Sequence, residues 1–207
     1  MRKRMFFANA GLVLLLACTS GCVVSDFPLS EPASSDADKL LNGRWRTETG
    51  DGYTITEFIA PTESSPKARL SDQRLMVTKG TSYPKGSDEL QHLGEAFVFV
   101  TTIGDTTFLN QEFESGYMIF RYHLKDDTLD IWRMDSTAAA EALGRGDLIT
   151  GEVTYDKGSV SRVQIKRALK EDGTSATKLR ALLTGKEAGR IFPDECKTHY
   201  TRVKDKK

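Results

Sequence analysis

The chain is poor in the residues that most often carry chemistry. Its 207 residues include three cysteines, three histidines and two tryptophans, and its formal net charge is zero. A metal site needs several ligands clustered at fixed spacing. Here His92, His123 and His199 are isolated, and only Cys196 and His199 stand close together. No metal and no cofactor are therefore expected. The phosphate-cradling G-x-x-x-x-G-K-[ST], the G-x-G-x-x-G fingerprint and the G-x-S-x-G elbow are all missing. Gly185-Lys186 is followed by Glu187, which repels phosphate. Beyond Arg2, Lys3 and Arg4, lysine and arginine are scattered along the chain, with Lys204, Lys206 and Lys207 as the one cluster. A nucleic-acid reader needs a basic face that neutralises phosphates, so nucleic acid is not an expected partner.

What is present is concentrated at the N-terminus. Arg2, Lys3 and Arg4 precede an uncharged run from Met5 to Ala17, and Cys18 and Cys22 follow at once. A basic n-region, a short apolar h-region and a small residue before a cleavage point make a secretory signal. The apolar run falls short of the roughly 20 residues that span a bilayer. Leu15-Leu16-Ala17-Cys18 resembles the lipobox of a bacterial lipoprotein. That resemblance implies cleavage before the cysteine and diacylglycerol on its sulfur. Gly21-Cys22 is a second common lipobox ending, so Cys18 and Cys22 are both candidate lipid-attachment residues. With no Asp directly after either, the resemblance implies sorting to the outer membrane, anchored on its periplasmic face. Cleavage at Cys18 leaves Cys22 and Cys196 as a candidate disulfide in an oxidising compartment. Cleavage at Cys22 strands Cys196.

The lipobox resemblance and the composition together imply a signal peptide (1–17), a lipid anchor with a flexible tether (18–39), and one β-rich domain (40–207). The tether contains Pro28 and Pro32 with several Ser and Asp, and shows no sustained period. In the body, Tyr53 to Ile59 alternates strictly, and Ala96 to Ile103 is rich in aromatic and β-branched residues, both strand patterns. Gly104-Asp105 turns the chain into a strand over 106–110. Tyr117 to Leu124 and Thr128 to Met134 predict a hairpin in which Leu124 faces Leu129, Tyr122 faces Ile131, His123 faces Asp130 and Arg121 faces Trp132. Further strands are expected at 149–155, 163–168 and 198–203. Two helices are expected: one from Asp135 or Ser136 through Leu143, and one over 174–184 with Leu179, Leu182 and Leu183 on one stripe, stopped by Gly185.

Gly43-Arg44-Trp45 at one end and Tyr200-Thr201-Arg202 at the other are similar to the calycin or lipocalin pattern. That pattern implies a barrel floor closed by Trp45, with Arg202 packed across it. The stretch from Val23-Val24-Ser25-Asp26 through Pro28-Leu29-Ser30, then Leu40 to Trp45 and the Tyr117 to Trp132 hairpin, resembles small lipoproteins of Gram-negative bacteria. No activity carries over from that family. The expected fold is mainly β: an antiparallel lipocalin-like barrel or curved sheet with two short helices.

Glu112 and Glu114 are the one carboxylate pair placed for glycoside chemistry, and their place beside Ser115-Gly116 reads as a solvated strand end. His123 and Asp130 read as a structural cross-strand pair. Phe97, Phe99, Phe108, Phe113, Phe120 and Tyr122 fill a sheet core or line a barrel mouth. The expectation is a non-catalytic lipoprotein held to the membrane by its acyl anchor. Its candidate partners are an apolar small molecule and an envelope protein assembly, and a cell-wall hydrolase is the remaining alternative.

Overall fold

A computed structural model describes residues 21–31, 38–50, 52–59, 76–87, 89–113, 115–145, 150–167 and 174–204. Eleven strands occur among them: β1 (Cys22–Ser25), β2 (Gly43–Thr49), β3 (Gly52–Ile59), β4 (Met76–Pro84), β5 (Gln91–Ile103), β6 (Thr106–Phe113), β7 (Gly116–Lys125), β8 (Thr128–Arg133), β9 (Thr150–Asp156), β10 (Ser159–Lys166) and β11 (Lys197–Arg202). The helices are α1 (Ser136–Gly144), α2 (Thr174–Thr184) and α3 (Ala188–Ile191).

Local chemistry accounts for most of these elements. Strands β7 and β8 meet in the expected register, with Leu124 opposite Leu129, Tyr122 opposite Ile131, His123 opposite Asp130 and Arg121 opposite Trp132. Their turn sets Asp126 at φ 52°, a left-handed conformation that Asp tolerates better than most residues. Helix α1 starts where the Asp135 carboxylate accepts the Ala138 N–H at 2.7 Å, satisfying one of the donors a helix N-terminus leaves open. Helix α2 buries Leu179, Leu182 and Leu183. It ends at Gly185, where a Cβ would stand 2.5 Å from the Ala181 carbonyl oxygen. The short third helix, α3, exceeds the two that were expected.

Strands β2 to β8 run up and down in chain order. Strand β11 then slots between β8 and β2, while β6 pairs with β7. The ring closes as an eight-stranded antiparallel, lipocalin-like barrel. A branch leaves it at β7: β1 touches β7 at Ser25–Tyr117, runs parallel to β10, and β10 pairs with β9. Side chains alternate across the barrel wall, as the two-residue period of a strand requires. Trp45, Phe58, Met76, Val98, Val100, Leu109, Phe120, Tyr122, Leu129, Ile131 and Tyr200 pack with Leu41 as one inner core. A second core lies outside the barrel, where Phe108, Ile119 and Trp132 meet the three helices and the β1–β10 branch. The aromatic set is thus divided. Phe120 and Tyr122 point inward and Phe108 points out under the helices. Phe99 lies against Tyr117 on the outer wall, edge to face at 6.1 Å.

The expected tether over 18–39 is corrected in its described part. Val23, Val24, Phe27 and Leu29 are buried, and the segment forms a strand and then a strap across the barrel. Asn110, wholly buried, accepts the Leu29 N–H at 2.8 Å and donates to Thr101 Oγ1 at 2.9 Å. Arg180 of α2 donates Nε–H to the Leu29 carbonyl at 2.7 Å. Val23, Val24, Phe27 and Leu29 show no sustained period of their own, because they fill gaps on a surface built by residues far along the chain.

Candidate functional site

The barrel floor joins the two ends of the domain. Trp45 is fully buried and its Nε1–H donates to the Leu41 carbonyl at 2.8 Å. The Arg202 guanidinium lies 4.1 Å above the Trp45 ring, and donates to Leu40 O at 2.6 Å and Asn42 O at 2.8 Å. Those two carbonyls belong to the short 3₁₀ turn Lys39–Leu41 and the residue after it, and a helix end leaves its last carbonyls without partners inside the helix. Gly43 takes φ 119°, and a Cβ there would stand 3.1 Å from Arg202 Nη1. The glycine of the Gly43-Arg44-Trp45 motif thus leaves room for the arginine. Tyr122 completes the floor, donating Oη–H to Asp38 Oδ2 at 2.9 Å. Burial first, and the Asp38 charge second, push its phenol well above the ordinary range.

The outer wall formed by β2 to β5 carries a different arrangement. Register places Arg44, Glu57, Lys79 and Glu95 side by side across four strands, with charges alternating in sign. Lys79 Nζ lies 2.8 Å from Glu95 Oε1. That hydrogen bond and the charges of Glu95 and Glu57 raise the lysine above its ordinary value. The next row is Arg46, Ile55, Thr81 and His92. Beyond it Tyr53 and Tyr83 stack with ring centres 4.6 Å apart and planes 10° from parallel, and the Arg46 guanidinium covers Tyr53 at 3.9 Å. The strand register shifts between Gly80 and Thr81, and such a bulge bends a sheet locally. A groove of about 520 Å³ results, with Ile55, Glu57, Lys79, Thr81, Tyr83 and His92 among its walls.

The remaining sequence candidates fall elsewhere. Cys18 and Glu114 lie outside the described residues. Glu112 is exposed on β6. Cys22 is half-buried at the start of β1, opposite Arg162, and burial raises its thiol above the usual value. Cys196 is buried in the 3₁₀ turn before β11. No disulfide joins them, which corrects the candidate pairing. The order β11–β8–β7–β1 sets three strand spacings of about 4.8 Å between their strands, beyond the roughly 7 Å that a disulfide spans between Cα atoms. Asp130 sits between His123 and His199 on adjacent strands, and its carboxylate meets His199 Nδ1 at 2.7 Å. The pair expected from the hairpin is therefore neighbouring in register, but the hydrogen bond goes to the histidine of β11. Among the described residues no group of three or more His, Cys, Asp or Glu is placed to hold a metal. Arg121 does lie over Trp132, at 4.4 Å.

Sequence reasoning placed Tyr53, Ile55 and Glu57 on one face but missed the groove around them. Its other walls come from β4 and the first half of β5, whose glycines and polar residues give no hydrophobic alternation. Compared with known protein families, curated proteins and solved structures, the chain matches none.

Proposed function

We propose that the chain is a lipid-anchored, non-catalytic lipoprotein on the periplasmic face of the outer membrane, whose barrel is a docking body for an envelope protein assembly. The observation that carries this reading is the division between the two sides of the wall. Inside, Trp45, Phe58, Met76, Phe120, Tyr122 and Tyr200 are all buried in one packed core. An eight-stranded barrel has an interior just wide enough to be filled by side chains or to hold one small ligand, and here these large residues pack into it as one core. Outside, the groove offers charge of both signs, a stacked aromatic shelf and a histidine, a composition suited to a polar protein surface. Glu95 and Glu48 of this wall are paired with Lys79 and Arg46, which favours recognition over acid–base chemistry.

The anchor reading rests on the N-terminal motif, and the surroundings of Cys22 favour Cys18 as its site. Gly21 lies so close to β10 that a Cβ would stand 2.4 Å from the Ser161 carbonyl carbon, so Cys22 is already built into the sheet.

The test places a photoreactive residue at Thr81, in the groove, and irradiates intact cells. The expected result is one adduct of defined mass that disappears when Arg44 and Lys79 are both changed to Glu. No adduct, or one insensitive to that charge reversal, rules out docking through this wall.

A further inference from the structure

Building on the lipid-anchor reading, we infer that the β9–β10 hairpin tip is a membrane-contact element that lies against the leaflet carrying the acyl chains and sets the orientation of the barrel. The argument begins with reach. Cys18 stands four positions before Cys22, and four fully extended residues span at most about 14 Å. The leaflet surface therefore lies within that distance of the start of β1.

Direction comes from the register. Strand β1 is parallel to β10, with Cys22 opposite Arg162 and Val23 opposite Val163. Moving backwards along the chain from Cys22 is thus moving backwards along β10, towards the turn at Lys157 and Gly158. The hairpin tip lies four residues from Arg162, the same number that separates Cys22 from Cys18. The hairpin tip thus lies on the side from which the chain enters β1, at a chain distance from Arg162 equal to the reach available to an acyl-bearing Cys18.

The composition of the tip suits that position. Tyr155 is 63 % exposed, one of the few large apolar side chains so placed among the described residues. An aromatic ring with a polar end is the kind of side chain that settles at headgroup level. Lys157 follows on the turn, with a long apolar stem and a charge that can reach the headgroups. Asp156 beside it cancels that charge, so the contact rests on the tyrosine and on tethering rather than on attraction to anionic lipid. Arg162, further back, is turned sideways onto Ser115 Oγ at 2.6 Å and Gln164 Oε1 at 2.9 Å.

The experiment uses the full mature lipoprotein, extracted with its lipid and reconstituted into phosphatidylethanolamine–phosphatidylglycerol vesicles whose acyl chains are brominated. Tyr155→Trp adds a reporter at the tip. Ser87→Trp adds one in the β4–β5 turn, on the far wall of the ring, and the wild type supplies the background of buried Trp45 and Trp132. The expected result is loss of the added emission for Y155W and none for S87W, unchanged when the phosphatidylglycerol fraction is varied. Vesicle-bound Y155W protein with unquenched emission, or equal quenching at both positions, overturns the contact and leaves the anchor reading standing. Protein that carries no acyl mass and stays in the supernatant overturns both.

Discussion

The Arg202 latch ties the last strand to the turn that opens the barrel floor. Arg202→Ala removes a guanidinium that stacks 4.1 Å above Trp45 and donates to two main-chain carbonyls, at Leu40 and Asn42. A hydrogen bond from a charged donor contributes about 1.5–3 kcal/mol, and the partners it leaves unsatisfied account for much of the loss. A cation over an aromatic face adds about 0.5–2 kcal/mol. The three contacts share one group, so they do not add in full. The Arg202–Asp127 contact at 3.4 Å is half in solvent and adds little. We expect a loss of about 3 kcal/mol, roughly two decades in the folding constant at 1.4 kcal/mol per decade. Arg202→Lys keeps the charge but not the planar fork, so it recovers less than half. Urea unfolding followed by circular dichroism measures both, with the midpoint falling and the slope unchanged. A cost for Arg202→Ala within about 0.5 kcal/mol, the range of an ordinary surface change, would refute the latch. Trp45→Phe supplies the matching control. It loses the 2.8 Å bond to Leu41 O while keeping an aromatic face under the cation.

Asn110→Ala removes the side chain that holds the Leu29 N–H and Thr101 Oγ1. It should cost about 2 kcal/mol through buried groups left unpaired, with faster hydrogen exchange at Leu29; unchanged exchange there would mean the strap is held otherwise. Tyr122 and Tyr200 are both kept protonated well above the ordinary value of 10 by burial, Tyr122 additionally by Asp38. The raised folded values mean that their contribution is complete below pH 10 and is lost as pH rises beyond it, because only the unfolded chain then releases the protons. The decline should approach about 1.4 kcal/mol per pH unit for each tyrosine, and Tyr122→Phe or Tyr200→Phe should flatten it in urea midpoints taken across the alkaline range. Dithiothreitol should leave the unfolding midpoint of the folded domain in place, since no disulfide joins Cys22 and Cys196. A fall of the 2–4 kcal/mol that disulfides typically contribute would show that the two thiols pair.

What could be read from the residues depended on how locally each contact is made. The β7–β8 hairpin was legible pair by pair, because a two-residue period and a two-residue turn fix register without reference to the rest of the chain. Helices α1 and α2 were legible for the same reason, through an Asp cap, an apolar stripe and a terminal glycine. Strand β4 was not. Its inward residues are Met76, Thr78 and Gly80, so burial inside the barrel leaves almost no hydrophobic alternation in the sequence. Trp45 and Arg202 are 157 positions apart, and nothing about either residue alone names the other. A motif resemblance linked them, and the geometry of the floor gives the physical reason for the link.

The groove and the N-terminal strap mark the same limit from two directions. In the groove, Arg44, Glu57, Lys79 and Glu95 become neighbours only once four strands are aligned. The bulge at Gly80/Thr81 then shifts by one residue what faces His92, an offset that no periodicity predicts. In the strap, Asp26 contacts Gln164, 138 positions away, through a parallel pairing whose partner strand has its own period. Fragments such as Val23-Val24 and Phe27 look like tether when judged by their neighbours in sequence. They become core when β10 and the helices cover them, because removing an apolar side chain from water contributes about 1.5–3 kcal/mol whatever its local pattern. This has a consequence for the anchor. With Phe27 and Leu29 buried, the chain that separates the barrel from an acylated Cys18 is no longer some twenty residues but the few before Cys22. On the proposed anchoring at Cys18, the body would be held close to the membrane.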